Sequence, residues 1–250
     1  METTTSCEIN FAPKVPTVGE LVAADYRKAD VFKKYGIDFC CGGKKSVEKS
    51  CAEAGVDYVA VMTELLNIEN ASAKPSQRYN EWKLDFLADY IVNTHHSYVR
   101  TAVPLLIAYT QRVAERHGDT QPALVEIAAI FQTVADEMTM HMVKEEKMLF
   151  PFIKQLAHAH QTGTPLPRAP FGSVDNPIHM MEHEHETVGE AMRRIAKLTN
   201  NFTPPANACN TYKVTFAKLQ EFENDLHEHV HLENNVLFPR AIALEKALQN

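Results

Sequence analysis

From Thr17 onward, apolar positions along the chain recur three and four residues apart, the spacing that lines one face of an α-helix. Val18, Leu21, Val22, Val31 and Phe32 mark a first helical run, with Thr17 and Glu20 at capping-box spacing before it and Gly36 at its end. The turn Ile37-Asp-Phe-Cys40-Cys41-Gly42-Gly43-Lys44-Lys45 follows, and Ser46 caps another helix. Short helices near 46–54 and 57–70 complete a small helical domain over 17–70, preceded by a flexible lead-in, 1–16, with Pro13 and Pro16. A small, polar stretch around Pro75 sets a linker at 71–79. Beyond it the pattern predicts four long helices near 80–117, 121–158, 175–200 and 207–247. Pro104, Pro151 and Pro239 fall inside these patterns and should kink the helices or start new turns, because proline removes an intrahelical hydrogen bond. The fold class is all-α, with an up-down four-helix bundle over 80–247.

One eleven-residue window occurs twice. His141-Met-Val-Lys-Glu145-Glu-Lys-Met-Leu-Phe-Pro151 and His229-Val-His-Leu-Glu233-Asn-Asn-Val-Leu-Phe-Pro239 share His, Glu, Leu, Phe and Pro, with a period of 88 residues. His and Glu four apart stand one turn above each other on a helix and can reach one metal centre. Nearly the same spacing, 89 residues, relates His96 and His185 on the first and third long helices.

On a helical wheel His96 shares its face with Val92, Val99 and Val103, and His185 with Ile178, Met181, Val188 and Met192. His141 sits with Val134, Met138, Met148 and Leu149, and His229 with Phe222, Leu226, Val236 and Leu237. His179, His183, His227 and His231 turn elsewhere, while His95 competes with its neighbour His96. A single histidine on an apolar face is ordinarily a hydrogen-bonded core residue. Four histidines and two carboxylates at matched spacing are not explained that way, since buried carboxylates need compensating cations.

Four His and two Glu suit a dinuclear centre with two His per metal and the carboxylates as bridges. Six ligands argue against a closed structural zinc site, and open positions remain for a small molecule. Imidazole alone leaves zinc, copper, iron and nickel open; iron is the choice here.

Composition narrows the partners. The 250 residues are 45% hydrophobic and 23% charged, ordinary for a globular protein. The formal net charge of −7, without a basic stripe, argues against nucleic acid. No membrane is implied: no run of about 18 apolar residues occurs, and the first residues lack a signal-peptide pattern. A cytoplasmic protein is expected. The five cysteines form no zinc-type pairs and read as reduced thiols, with Cys7, Cys51 and Cys209 structural or incidental.

The bundle with two H-x-x-x-E-x-x-x-L-F-P copies, the M-E-x-E-H at Met181 to His185 and the Cys40-Cys41-Gly42-Gly43 turn together resemble the di-iron iron-sulfur cluster repair proteins. The resemblance covers residues 17 to 240. It implies a hemerythrin-like bundle whose two iron ions are held by four histidines and two bridging glutamates, matching His96, His141, His185, His229, Glu145 and Glu233. The register of Arg100 and Pro104 favours His96 over His95. It implies damaged iron-sulfur proteins as partners, nitric oxide or O2 as small ligands, and a homodimer that no sequence patch marks. Oxygen-carrying hemerythrins differ in having more histidine ligands and an H-x-x-x-x-D motif.

The leading expectation is a repair factor that supplies or exchanges iron for clusters damaged by nitrosative or oxidative stress. The alternatives are a di-iron nitric oxide reductase and a non-catalytic O2 or NO sensor or carrier. Glu137, one turn before His141, and Glu184, next to His185, are expected to accept a hydrogen bond from a ligand imidazole or to line a route to the irons. The vicinal Cys40 and Cys41, on a glycine turn beside Lys44 and Lys45, should favour a thiolate and form an auxiliary thiol or redox site.

Overall fold

The computed structural model describes residues 16–70, 78–165 and 168–249. Most of the lead-in (with Cys7) and residues 71–77 of the linker lie outside the described residues. The small N-terminal unit contains α1 (Val18–Ala24), α2 (Lys28–Lys34), α3 (Val47–Ala54) and α4 (Tyr58–Asn70). Its capping signals act as the sequence suggests. The Thr17 and Glu20 side chains each accept the other's backbone N–H, and the Ser46 hydroxyl accepts from Lys49 N–H.

The helical run expected from Val18 to Gly36 is instead two helices. Asp25 accepts the Arg27 backbone N–H at 3.1 Å and holds the Arg27 guanidinium, a local bond that competes with helix continuation. Gly36 does end the second helix, at φ 67°, where a side chain would be strained.

The bundle opens with a short 3-10 turn, Tyr79–Glu81, and its four rods are built from seven α-helices. The first rod is α5 (Leu84–Ile91), a π-helical turn Val92–His96, and α6 (Ser97–His117). The second is α7 (Ala123–Lys144), a π-turn Glu145–Leu149, and α8 (Phe150–Thr162). The third is the uninterrupted α9 (Asp175–Leu198), and the fourth is α10 (Asn210–Leu232), a π-turn Glu233–Leu237, and α11 (Phe238–Gln249). α6 packs on α7 and α10, and α7 packs on α9. None of the helices among the described residues is long and apolar enough to cross a membrane.

The π-turns are a departure from the regular helices expected, and the repeat explains two of them. A proline at 151 or 239 cannot donate a hydrogen bond and its ring would press on the carbonyl one turn back. The wider turn absorbs both problems: Phe150 N–H bonds Glu145 O, and Phe238 N–H bonds Glu233 O, five residues back. In the first rod the Ser97 hydroxyl also bonds Val92 O, at 3.1 Å. α6 continues through Pro104. The wide turn also rotates the residues beyond its start, so Met148, expected on the inner face with His141, is 51% exposed while Leu149 is buried.

Two apolar clusters fill the interior. One joins Val18, Phe32 and Val61 of the N-terminal unit to Val99, Phe131, Val188 and Phe222 of the bundle. The other gathers Leu87, Ile91, Leu149, Ile178, Leu237 and Phe238. Burying such side chains contributes roughly 1.5–3 kcal/mol each. Along every rod the ligand-type residues fall where one cluster gives way to the other: between Ile91 and Val99, between Met138 and Leu149, between Met181 and Val188, and around Val230 to Leu232.

The N-terminal unit closes on this layer through Asn235. Its Nδ2 donates to Cys40 O at 3.0 Å. A Cβ built on Gly43 or Gly19 would lie 2.4 or 2.2 Å from Asn235 Oδ1, so both glycines make room for that side chain.

Candidate metal centre

His96 ends the first π-turn, Glu145 and Glu233 begin the other two, and His141 and His229 stand one turn before them. His185 lies midway along α9. All six are between 0 and 2% exposed. Their donor atoms form two groups, His96, Glu145, His229, Glu233 and His141, Glu145, His185, Glu233, each with atoms within 4.8 Å of one another. Both glutamates belong to both groups.

The distances show how the sharing works. Glu233 Oε1 is 3.0 Å from His229 Nε2 and its Oε2 is 3.1 Å from His185 Nε2, so one carboxylate spans the two groups. Glu145 Oε2 stands 3.3 Å from both His96 Nε2 and His141 Nε2. His141 Nε2 and His185 Nε2 face each other at 2.9 Å. The outer nitrogens of those two rings point at oxygens: His141 Nδ1 to Glu184 Oε2 at 2.9 Å and His185 Nδ1 to Asn234 Oδ1 at 2.8 Å. With protons on Nδ1, the facing Nε2 atoms present lone pairs, so a proton or a metal cation has to lie between them.

Charge and hydrogen bonding give the same fit. His96 Nε2, both Glu145 oxygens and Glu233 Oε2 are buried without a hydrogen-bond partner, a cost that natural interiors avoid unless something else satisfies the atoms. Burial disfavours a charged imidazole at His96 and His141. The Glu145 carboxylate, with Glu233 and, for His141, Glu184, outweighs it and raises both to about 10. Glu233 is held well below its ordinary value despite burial, by His229, His185 and His96. Two carboxylates among four inward nitrogens are a field for cations, and the residues present fit a di-iron centre.

The imidazoles are held by a scheme that follows the repeat. The residue after each shared glutamate reaches a neighbouring rod: Glu146 Oε1 takes His96 Nδ1 at 2.7 Å, and Asn234 takes His185. The phenylalanine of each L-F-P packs its ring on the same two targets, Phe150 on His96 at 5.7 Å and Phe238 on His185 at 6.2 Å. The residue before each ligand-type histidine on the first and third rods serves the other two. His95 stacks on His229 with centroids 5.5 Å apart, and Glu184 holds His141. Arg100 pairs with Glu146 and Lys144 with Glu184, and the hydrogen bond from His141 first, then Lys144, keeps Glu184 at about 2.

Glu184 is therefore where an acceptor was expected, and Glu137 is not. Glu137 is exposed, because Met138 and Val134 occupy the inward side of α7 beside His141. Sequence reasoning missed Glu146, Asn234 and the pairing of His95 Nδ1 with Asp225 Oδ1 at 2.9 Å. The available signal was position: Glu146 and Asn234 occupy the same place in the two copies of the repeat. His227 and His231 lie off the centre, against Phe39 of the N-terminal unit.

The cysteine pair sits over the same region. Cys41 Sγ is 3.6 Å from His185 O, and Cys40, Cys41, Lys44, Glu182, His183 and Asn234 line a cavity of about 290 Å³. The thiolate expected at Cys40 is not favoured there. Contact with the Cys41 thiol, then burial, then Asp38, whose Oδ1 is 3.1 Å from Cys40 Sγ, push the Cys40 thiol well above its ordinary value. The lysines are engaged elsewhere, Lys44 with Glu182 and Lys45 with Glu53, both at 2.6 Å.

Comparison with known proteins agrees with this geometry. Residues 87–241 match the hemerythrin HHE cation binding domain, and residues 15–69 match ScdA_N, a domain of unknown function. The iron-sulfur cluster repair protein YtfE of Musicola paradisiaca (strain Ech703) is 35% identical over 229 residues, spanning 90% of this chain and 96% of that protein. The proteins of the same name from Edwardsiella ictaluri (strain 93-146) and Yersinia pseudotuberculosis serotype O:1b (strain IP 31758) are 36% and 33% identical, with the same coverage. A bundle with a cation-binding layer of His and Glu, an N-terminal cysteine unit over it, and likeness running through both parts lead to one conclusion: the chain belongs to the iron-sulfur cluster repair YtfE family, with a hemerythrin HHE cation binding domain.

Proposed function

We propose that this protein restores iron-sulfur clusters damaged by nitrosative or oxidative stress by supplying or exchanging iron at a di-iron centre. His96, His141, His185, His229, Glu145 and Glu233 would hold the two ions, with Glu145 and Glu233 shared between them. The observation that carries the reading is the pair of fully buried carboxylates that each face histidines of both groups, in a chain whose relatives bear the repair name. Bound iron supplies redox and ligand-exchange chemistry. The protein's own residues do the rest: Glu146, Asn234 and Glu184 orient the imidazoles, and Phe150 and Phe238 exclude water on two sides.

Four protein donors per ion leave positions free on a six-coordinate metal, which supports a second reading in which the centre reduces nitric oxide. The proposal extends to residues 17–70 and 80–247 as two domains, to Cys40 and Cys41 as an auxiliary thiol site, to damaged iron-sulfur proteins as clients, and to a cytoplasmic location. Reconstituted protein should bind about two irons per chain and reactivate a [4Fe-4S] dehydratase inactivated with nitric oxide. Iron-loaded protein that leaves the dehydratase inactive overturns the repair reading, and catalytic release of nitrous oxide establishes the second.

A further inference from the structure

A row of aromatic rings leads away from the centre. The His95 ring lies parallel to that of His229, at 5.5 Å and 7° between planes. Tyr90 meets His95 at 5.8 Å, and Trp82 meets Tyr90 at 5.0 Å. Tyr79 joins the row at 4.9 Å from Trp82. His95 is 2% exposed, Tyr90 and Trp82 are half-buried, and Phe86, packed on Trp82 at 5.0 Å, is 54% exposed. The row therefore starts on an imidazole of the centre and ends at the rim of the protein, on the chain's single tryptophan.

Edge-to-face rings are ordinary packing, and two features go beyond it. His95 keeps its Nε2 buried without a partner, a cost that an apolar ring filling the same space would not incur. Tyr79 donates its hydroxyl to Glu228 Oε1 at 2.6 Å, which gives a buried phenol a carboxylate base. Tryptophan and tyrosine are the side chains most readily oxidised by one electron. Electron tunnelling falls steeply with distance, so several short steps outrun one long one.

The geometry points to an electron relay in which Trp82, through Tyr90 and His95, supplies one electron to the metal centre when hydrogen peroxide meets it with a single ferrous ion. This rests on the ligand set proposed above. The O–O bond of peroxide breaks and takes two electrons. One comes from the ferrous ion, which becomes ferric, and one from Trp82, whose indole loses its N–H proton and becomes a neutral radical. The proton and the two electrons convert the peroxide to one water and one hydroxide. With Tyr79 as donor the proton passes to Glu228 and the products are two hydroxides. A fully ferrous pair provides both electrons itself and leaves the indole intact.

The test uses iron-loaded full-length protein, poised with one ferrous and one ferric ion and mixed with one equivalent of hydrogen peroxide. Radicals are followed by electron paramagnetic resonance and oxidised residues by peptide mass spectrometry. Once dioxygen is admitted it adds to the indolyl radical, so Trp82 should gain oxygen, and Tyr90→Phe, which keeps the ring contact but resists oxidation, should lower that yield at least tenfold. The exposed Met140 and Met148, 63 and 51% exposed, report oxidants that diffuse and should react equally in both proteins. Trp82→Phe should replace the indolyl radical with a phenoxyl radical. Equal Trp82 oxidation in the wild type and Tyr90→Phe, or none in wild type carrying about two irons, overturns the relay. Failure to bind iron overturns the ligand set instead.

Discussion

Asn234→Ala isolates the part that orientation plays in holding the metal. The amide oxygen of Asn234 takes His185 Nδ1 at 2.8 Å, inside a site where His185 is 1% and Asn234 5% exposed. Alanine leaves the imidazole N–H buried without an acceptor, which costs about 1–3 kcal/mol. The proton is then free to move to Nε2, the nitrogen that faces Glu233 and His141, and only the deprotonated nitrogen can bind a metal. Loss of such a partner typically weakens metal affinity roughly 10- to 100-fold, about 1.4–2.7 kcal/mol, in agreement with the cost of the lost hydrogen bond. Iron affinity measured by competition with a chromophoric chelator should fall within that range for the weaker of the two bound ions. Asn235→Ala is the control, because the Asn235 amide reaches Cys40 O and His231 rather than the His185 imidazole. An Asn234→Ala affinity within twofold of wild type, or an equal loss in Asn235→Ala, would refute the reasoning.

Other residues give independent tests. Glu145→Leu and Glu233→Leu each remove a carboxylate shared by both groups, and iron content should drop from about two per chain to one or less with loss of the paired-iron absorption; an unchanged spectrum would exclude bridging. Gly43→Ala places a Cβ 2.4 Å from Asn235 Oδ1 and 2.7 Å from Phe39 O, so thermal unfolding should show about 1–3 kcal/mol of destabilisation and faster proteolysis within the N-terminal unit. Thiol labelling at pH 7 should modify the exposed Cys209 well before Cys40, whose raised pKa keeps it protonated, and Cys40 labelling should quicken as pH rises; early modification of Cys40 would contradict the environment described.

The six metal-type residues were legible because a helix converts spacing into direction. His141 with Glu145, and His229 with Glu233, share a face whatever surrounds them, and a spacing within one residue of their 88-residue period relates His96 and His185. Glu184 was legible by adjacency, while Glu137 was misread: it stands one turn before His141, yet Val134 and Met138 take the inward side of α7 there and Glu137 is exposed. The break at Asp25 and the outward swing of Met148 come from a side-chain hydrogen bond and a widened turn, neither of which hydrophobic periodicity registers.

The sequence by itself determined the all-helical class, the repeat and the inward direction of His96, His141, His185, His229, Glu145 and Glu233. Those features arise from local rules: residue type, period and capping act within a few positions of the chain. Only the tertiary structure decided that Glu233 Oε2 reaches His185 on another rod and that Glu146 and Asn234 steady rings on other rods. Each of these joins segments far apart in the chain or fixes a rotamer. Contacts of that kind depend on how whole helices pack, and no local pattern encodes them.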